Sequence, residues 1–297
     1  MNDISAFEPA IPAMVVGQSF GGTPPPLGLG EPFALMGGDR LGPDGIPFAI
    51  MHDHQPALLR WVKQSCEASL AAERPWFRGS PLLLPGSHGA GRTHAARWLA
   101  RVVGVPHCIL NLTDPVIAAN IAASRHVNEA LWASPLTIAM SATRIANPVA
   151  TVIGADKVSE DVSAGLATMM DPETGTCWSE DQLGITVDLG EVTWVIQCDQ
   201  VSALPPALRN ISTPVVLQRP PGGLDSVLTL SVMLEVMNDL RLEPTDPLYS
   251  WARIQAALPH YYFKSAKGLY ADMVNALMAL RQGSPDHRLE YDEQIPF

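Results

Sequence analysis

Eight consecutive residues, Gly86-Ser87-His88-Gly89-Ala90-Gly91-Arg92-Thr93, have types and a spacing suited to holding a phosphate. Glycines at the first and sixth places let backbone N–H groups turn inward on an anion, and the hydroxyl of Thr93 is placed to reach a metal ion carried by that phosphate. The sequence departs from G-x-x-x-x-G-K-[ST] only at the lysine, where Arg92 stands. Arginine keeps the charge but exchanges a compact ammonium for a planar guanidinium that cannot wrap the β- and γ-phosphates in the same way, so a weaker grip is expected. His88 inside the loop would contact phosphate if protonated and is otherwise an ordinary solvated histidine. The competing reading of the whole stretch is a glycine-rich turn that binds nothing.

Such a loop works only between a strand and a helix, because the helix N-terminus supplies the remaining N–H groups and a favourable dipole. Leu82–Leu84 is a short apolar run before the loop, and Ala95, Leu99 and Val102 share one helical face after it, ended by Gly104 and Pro106. Four more near-continuous apolar runs follow, Cys108–Leu112, Val149–Ile153, Val192–Cys198 and Val215–Leu217. Runs of that kind, alternating with helical patterns, predict a five-stranded parallel sheet buried on both faces in an αβα arrangement. Ahead of the sheet, Leu59, Val62, Cys66 and Leu70 mark an amphipathic helix stopped by Pro75.

Past Arg219-Pro220-Pro221-Gly222-Gly223 the periodicity is helical throughout. Three helices are expected, one through Leu228, Val232 and Leu234–Met237, one through Leu248, Trp251, Ile254 and Leu258, and one through Leu269, Met273, Ala276, Leu277 and Leu280. The expected organisation is therefore a Gly- and Pro-rich arm with little regular structure over 1–45, an α/β core over 46–222, and a small all-helical domain with an acidic tail over 223–297.

A 297-residue chain with 47% hydrophobic residues builds a full core, and its net charge of −11 argues against a general nucleic-acid backbone surface. Cys66, Cys108, Cys177 and Cys198 are widely spaced, which favours free thiols in a reducing compartment over disulfides or a zinc site, and a cytoplasmic location is expected. The N-terminus lacks a basic n-region and no run reaches 18 apolar residues, so no membrane partner is expected.

Three stretches, "IANPVATVIGADKV" at 145–158, "MMDPETGTCWSEDQLGITVDLGEVTWVIQCDQVSALPPALRN" at 169–210 and "SAKGLYADMVNALMAL" at 265–280, resemble the AAA+ module of the Lon ATP-dependent proteases across roughly residues 46–282. The resemblance implies a three-layer αβα P-loop NTPase core followed by a helical lid, binding of ATP or ADP with Mg2+, and subunits that assemble into rings. A proteolytic domain would follow the lid in that family, and no Ser-Lys pair of that domain is expected here.

Carried over residue by residue, the family's catalytic positions are largely altered. Its acidic metal-binding pair matches Ile153 and Gly154, neither of which can ligate a metal or take a proton. Asp156 matches the next acidic residue, two positions late, and would act only from a shifted loop. The sensor 1 asparagine is matched by Asp199, whose carboxylate would repel a γ-phosphate. The arginine finger falls on Ile211, or with a shift on Arg209, and the sensor 2 position on Lys267. The phosphate-holding set is thus Gly86–Thr93 with Asp199 and Lys267, Thr93 being the one retained metal ligand.

Weaker signals keep two readings each. Trp132 lies near the family's pore loop and is equally a core tryptophan. His52 and His54 flank Asp53, which reads as a helix N-cap before it reads as part of a metal site. Met169 and Met170 read as packing. Three functions compete: an AAA+ module whose nucleotide binding, with weak or absent hydrolysis, supports protein assembly or remodelling; a pseudo-ATPase adaptor that binds protein partners or copies of itself without turnover; and a different P-loop enzyme such as a kinase, disfavoured by the lid pattern.

Overall fold

The structure is a computed structural model, and it describes residues 11–42, 55–86, 90–122, 133–218, 226–242, 245–246 and 266–281. The chain divides into two units, Met1–His88 with Ala95–Leu217, and Gly89–His94 with Gln218–Phe297.

The first unit is built on a five-stranded sheet. Its strands are β4 (Leu82–Pro85), β5 (His107–Asn111), β6 (Val149–Ile153), β9 (Thr193–Cys198) and β10 (Thr213–Pro214), in the order β10-β4-β9-β6-β5. Every pairing is parallel. Alternate residues leave opposite faces. Leu83, Leu110, Ala150, Val152, Trp194 and Ile196 join one core cluster, in which Ile121 of α3 (Pro115–Ile121), Leu136 and Met140 of α4 (Pro135–Thr143) and Leu166 of α5 (Glu160–Met170) are also buried. Leu82, Leu84, Val149 and Val195 join the other, with Leu59 and Val62 of α1 (Pro56–Ala71) and Trp98 and Leu99 of α2 (Arg92–Val102). Three layers result, as the apolar runs predict.

The last strand sits two residues earlier than its apolar run. Thr213 and Pro214 pair with Leu82 and Leu83, and Val215 still donates its N–H to the Leu83 carbonyl at 2.8 Å. An edge strand tolerates a proline, which lacks the second donor. Leu70 of the expected α1 face is exposed, whereas Leu59, Val62 and Cys66 are buried.

The Gly- and Pro-rich N-terminal segment differs from the irregular arm its composition suggests. It forms β1 (Ala13–Val15), β2 (Gly17–Ser19) and β3 (Pro32–Ala34). β1 pairs antiparallel with β3, and β2 with β8 (Ile185–Val187), which also pairs with β7 (Trp178–Glu180). Val16, Leu29, Phe33 and Leu35 are buried in the first core cluster. Strands of three residues carry too little period-2 pattern to stand out among turn residues, so composition dominates the reading.

In the second unit α7 (Ser226–Asp239) and α8 (Ala266–Arg281) share a core of Val232, Met233, Val236 and Met237 with Leu269, Met273 and Leu277. Tyr270 donates its hydroxyl to Asp239 at 2.7 Å. The expected helix through Leu248, Trp251, Ile254 and Leu258 lies outside the described residues.

Candidate phosphate-loop site

β4 lies between β10 and β9, strands far from it in sequence, so connections diverge at its carboxyl end. Open α/β sheets bind ligands at such a switch point. All four β4 residues are buried, and the strand runs directly into Gly86. The Gly86 N–H donates to the Cys198 carbonyl at 3.1 Å, which fixes the start of the loop to the end of β9. Ser87, His88 and Gly89 lie outside the described residues. At the far end Gly91 has φ +82°, a left-handed backbone that disfavours a side chain even though space is open there. α2 begins at the next residue, so Arg92 and Thr93 occupy its first turn, both half-buried.

β6 ends at Ile153, which is half-buried, and the chain turns at Gly154 with φ +82°. A Cβ built there would lie 3.1 Å from Thr113 Cγ2. Asp156, on the same turn, accepts the backbone N–H of Asp199 through Oδ2 at 3.1 Å. Asp199 is the first residue after β9, and its Oδ2 lies 3.6 Å from the Lys157 ammonium. The carboxylate expected to repel a γ-phosphate therefore faces a cation. At the end of β5, Asn111 Oδ1 accepts both the N–H and the hydroxyl of Thr113, at 3.3 and 2.8 Å.

The second unit places a different group of side chains directly after the loop. His94 Nδ1 meets Glu235 Oε2 of α7, and His94 Nε2 lies 3.2 Å from the Ser231 hydroxyl. A carboxylate only accepts, so Nδ1 carries the proton toward Glu235, and Nε2 shares a hydrogen bond with the Ser231 hydroxyl. The order hydroxyl, imidazole, carboxylate is that of a nucleophile, its base and an orienting acid. Ser231 is 1% exposed, however, and such a hydroxyl meets no substrate. The three groups form a buried polar network joining the first turn of α2 to α7.

That network went unread in the sequence, although Glu235 stands as a lone charge within the apolar run Leu234–Met237. Lys157 was unread too, because its significance depends on the packing of two loops. Lys267 is the second residue of α8, and its side chain lies outside the described residues. Arg209 is exposed in α6 (Pro206–Ile211), and Ile211 is half-buried at the end of that helix. Trp132 and the His52–His54 segment lie outside the described residues. Among those described, no group of three or more His, Cys, Asp or Glu could hold a metal ion, and no helix is long and apolar enough to cross a membrane. Cys66, Cys108 and Cys198 are buried and Cys177 is exposed, and none of the four is in a disulfide.

The chain matches no family model. Over 141 residues it is 27% identical to the Lon protease of Syntrophus aciditrophicus, a match covering 46% of this chain and 18% of that protein. It is 25% identical over 141 residues to Lon protease 2 of Bdellovibrio bacteriovorus, with the same coverage. With Lon protease 2 of Myxococcus xanthus it shares 28% identity over 138 residues, 45% of this chain and 17% of the relative. Among solved structures, a RuvB variant of Thermotoga maritima aligns with 80% of this chain and 66% of its own, at a TM-score of 0.41 and 14% identity. The RuvB Holliday junction branch migration motor of the same organism aligns at a TM-score of 0.38 and 14% identity, over 77% of this chain and 62% of its own.

Proposed function

We propose that this chain carries a Lon-like AAA+ module and binds ATP or ADP at the Gly86–Thr93 loop with weak or absent hydrolysis, in the service of protein assembly or remodelling. One juxtaposition carries the reading. A glycine-framed loop leaves β4 at the sheet's switch point, while β6, separated from β4 by β9, ends in Ile153 and Gly154 in place of acids. The first feature favours an anion and the second withdraws the means of splitting it.

In this reading the loop amides of Gly86–Gly91 and the first turn of α2 bind phosphate oxygens, Arg92 adds charge, and the Asp199 carboxylate at the sensor position is countered by Lys157. The Thr93 hydroxyl would hold a metal ion carried by the nucleotide, and that ion would supply charge neutralisation between phosphate oxygens. A titration of the purified chain with a fluorescent ATP analogue, run beside a phosphate-release assay, tests both halves. Saturable binding with release at background supports the proposal, and absence of binding removes it.

The second reading is an adaptor that uses AAA+ surfaces to meet protein partners or further copies of itself without nucleotide. The replacement of both acids at Ile153 and Gly154 favours it. Its assembly surface is not the apolar face of α8, because Leu269, Met273 and Leu277 are spent within the second unit's own core. Partner capture that is indifferent to Arg92 and Thr93 substitutions would favour this reading over the first.

A further inference from the structure

At the amino edge of the sheet, the end away from the phosphate loop, the first unit holds a cavity of about 100 Å³. Its walls come from the segments that lead into β4 and β9 and from the ends of α5 and α6. The geometry points to a binding site for a short aliphatic monocarboxylate, in which Arg78 and Trp194 hold the carboxylate while Met170, Leu189 and Val192 enclose the alkyl chain. This site is separate from the nucleotide reading and stands or falls without it.

Two donors on the cavity wall lack acceptors. Trp194, the second residue of β9, lines the cavity and is 2% exposed. Among the described residues no acceptor meets its indole N–H, and a buried donor of that kind costs free energy until one arrives. Arg78 is half-buried and donates through Nε to the Gly190 carbonyl at 2.7 Å, the same atom lying 4.0 Å from Glu191 Oε2. Its two terminal amino groups have no hydrogen-bond partner among the described residues. Burial, the largest influence on this guanidinium, pulls it below its ordinary value while Glu191 pulls back, so a further carboxylate would favour the charged form. Two donors, one of them cationic with a planar fork, select a carboxylate over an amine.

The surrounding acids set the ligand's charge. Glu191 is already engaged, with Oε2 accepting the Trp76 indole N–H at 2.7 Å and Oε1 lying 3.6 Å from Arg74. Asp171 also lines the cavity, and its Oδ1 accepts the N–H groups of Glu173 and Thr174 at 2.9 and 3.0 Å. That carboxylate disfavours a second negative charge on the ligand, which excludes phosphate and dicarboxylates. Size follows from the space: an apolar cavity of about 150 Å³ accepts benzene, so this smaller one suits a chain of about four carbons. Met170, Leu189 and Val192 are buried and offer that chain an apolar wall.

The test follows the indole N–H resonance of Trp194 in the isotope-labelled full chain, assigned as the signal missing from Trp194→Phe. Butyrate, butyramide, n-butylammonium and inorganic phosphate are added in turn at constant ionic strength. Butyrate should shift the signal saturably, with a Kd on the order of 1 mM for so small a ligand, and the other three should leave it in place. Arg78→Gln should weaken butyrate by at least about tenfold, the loss of one charge-assisted contact, and Arg78→Lys, which keeps the charge without the fork, should fall between the two. Because Arg78 also holds Gly190, unchanged resonances of the other tryptophans certify the fold of each variant. Should Arg78→Gln fail to fold, the ranking of the four probes on the wild type decides. A Trp194 signal that butyrate leaves unmoved, or that any of the other probes shifts as strongly, overturns the site, and so does a folded Arg78→Gln protein with wild-type affinity for butyrate.

Discussion

His94, the residue that follows the phosphate loop, pairs through Nδ1 with Glu235 of α7, and both side chains are buried. Removing one member of a buried pair strands the other in a medium that solvates it poorly. Glu235→Ala should therefore lower stability by about 3 kcal/mol, while Ser231→Ala, which removes only a neutral hydrogen bond, should lower it by about 1 kcal/mol. Urea denaturation of the two variants checks the order. Equal midpoints for wild type and Glu235→Ala would mean that the pair holds nothing in place.

A second buried polar hub explains why the N-terminal segment belongs to the core. Asn147, fully buried just before β6, accepts the Met36 N–H and donates to the carbonyls of Met36 and Phe77, each at 2.9 Å. Asn147→Ala leaves three backbone groups without this partner and should destabilise by about 2–4 kcal/mol. Asn147→Asp should be at least as harmful, because a carboxylate keeps the first bond but faces two carbonyl oxygens. Chemical denaturation that ranks Asp close to wild type would contradict the assignment of these bonds.

These two hubs also show what sequence can and cannot carry here. The five core strands and their flanking helices were legible because buried parallel strands are continuous apolar runs and the helices have period-3.6 faces. The phosphate loop was legible because its glycines and hydroxyl sit at fixed intervals. Asn147 lies within the family-like stretch 145–158, but its three bonds reach residues about 70 and 111 positions away and leave no local trace. β1–β3 were hidden by the glycines and prolines around them. Lys157 and Asp199 are 42 residues apart and meet only because β6 and β9 are neighbours.

Thiol chemistry separates the four cysteines. Burial, with a smaller contribution from Glu67, pushes the Cys66 thiol up to about 11, and burial does the same for Cys108, from an ordinary value of 9.0. Cys177 is exposed. At mildly alkaline pH a thiol reagent should label Cys177 rapidly in the folded chain and the other three only in denaturant. Because the folded state keeps the protons of Cys66 and Cys108 that an unfolded chain releases near 9.0, their stabilising effect is complete below that pH. It is lost as pH climbs from there to about 11. A denaturation midpoint that holds constant across that alkaline interval would contradict the burial of these thiols.

The turn after β6 should resist repair. Gly154→Ala places a side chain on a left-handed backbone against Thr113, which should cost about 1–2 kcal/mol. A Gly154→Glu variant, made to restore an acid, should lose at least as much stability and gain no turnover. Thermal melts measured beside phosphate release separate the two effects, and a stable Gly154→Glu protein would show that the turn can reshape.

Arg92→Lys isolates the remaining departure of the loop. An ammonium at this place contacts phosphate oxygens as a point donor, where the guanidinium is broad and planar, so nucleotide affinity should rise, by up to about tenfold for one improved charge-assisted contact. Hydrolysis should not follow. Turnover needs a group that orients water and accepts its proton, a contribution on the order of 10²-fold or more, and position 92 supplies neither function. With β6 ending in Ile153 and Gly154, the variant should bind more tightly and still release phosphate at background. Steady-state release by Arg92→Lys, or by the wild type, that Thr93→Ala abolishes would place a working base elsewhere. Asp156 is then the first residue to replace, since its second carboxylate oxygen makes no contact in the Asp199 hydrogen bond.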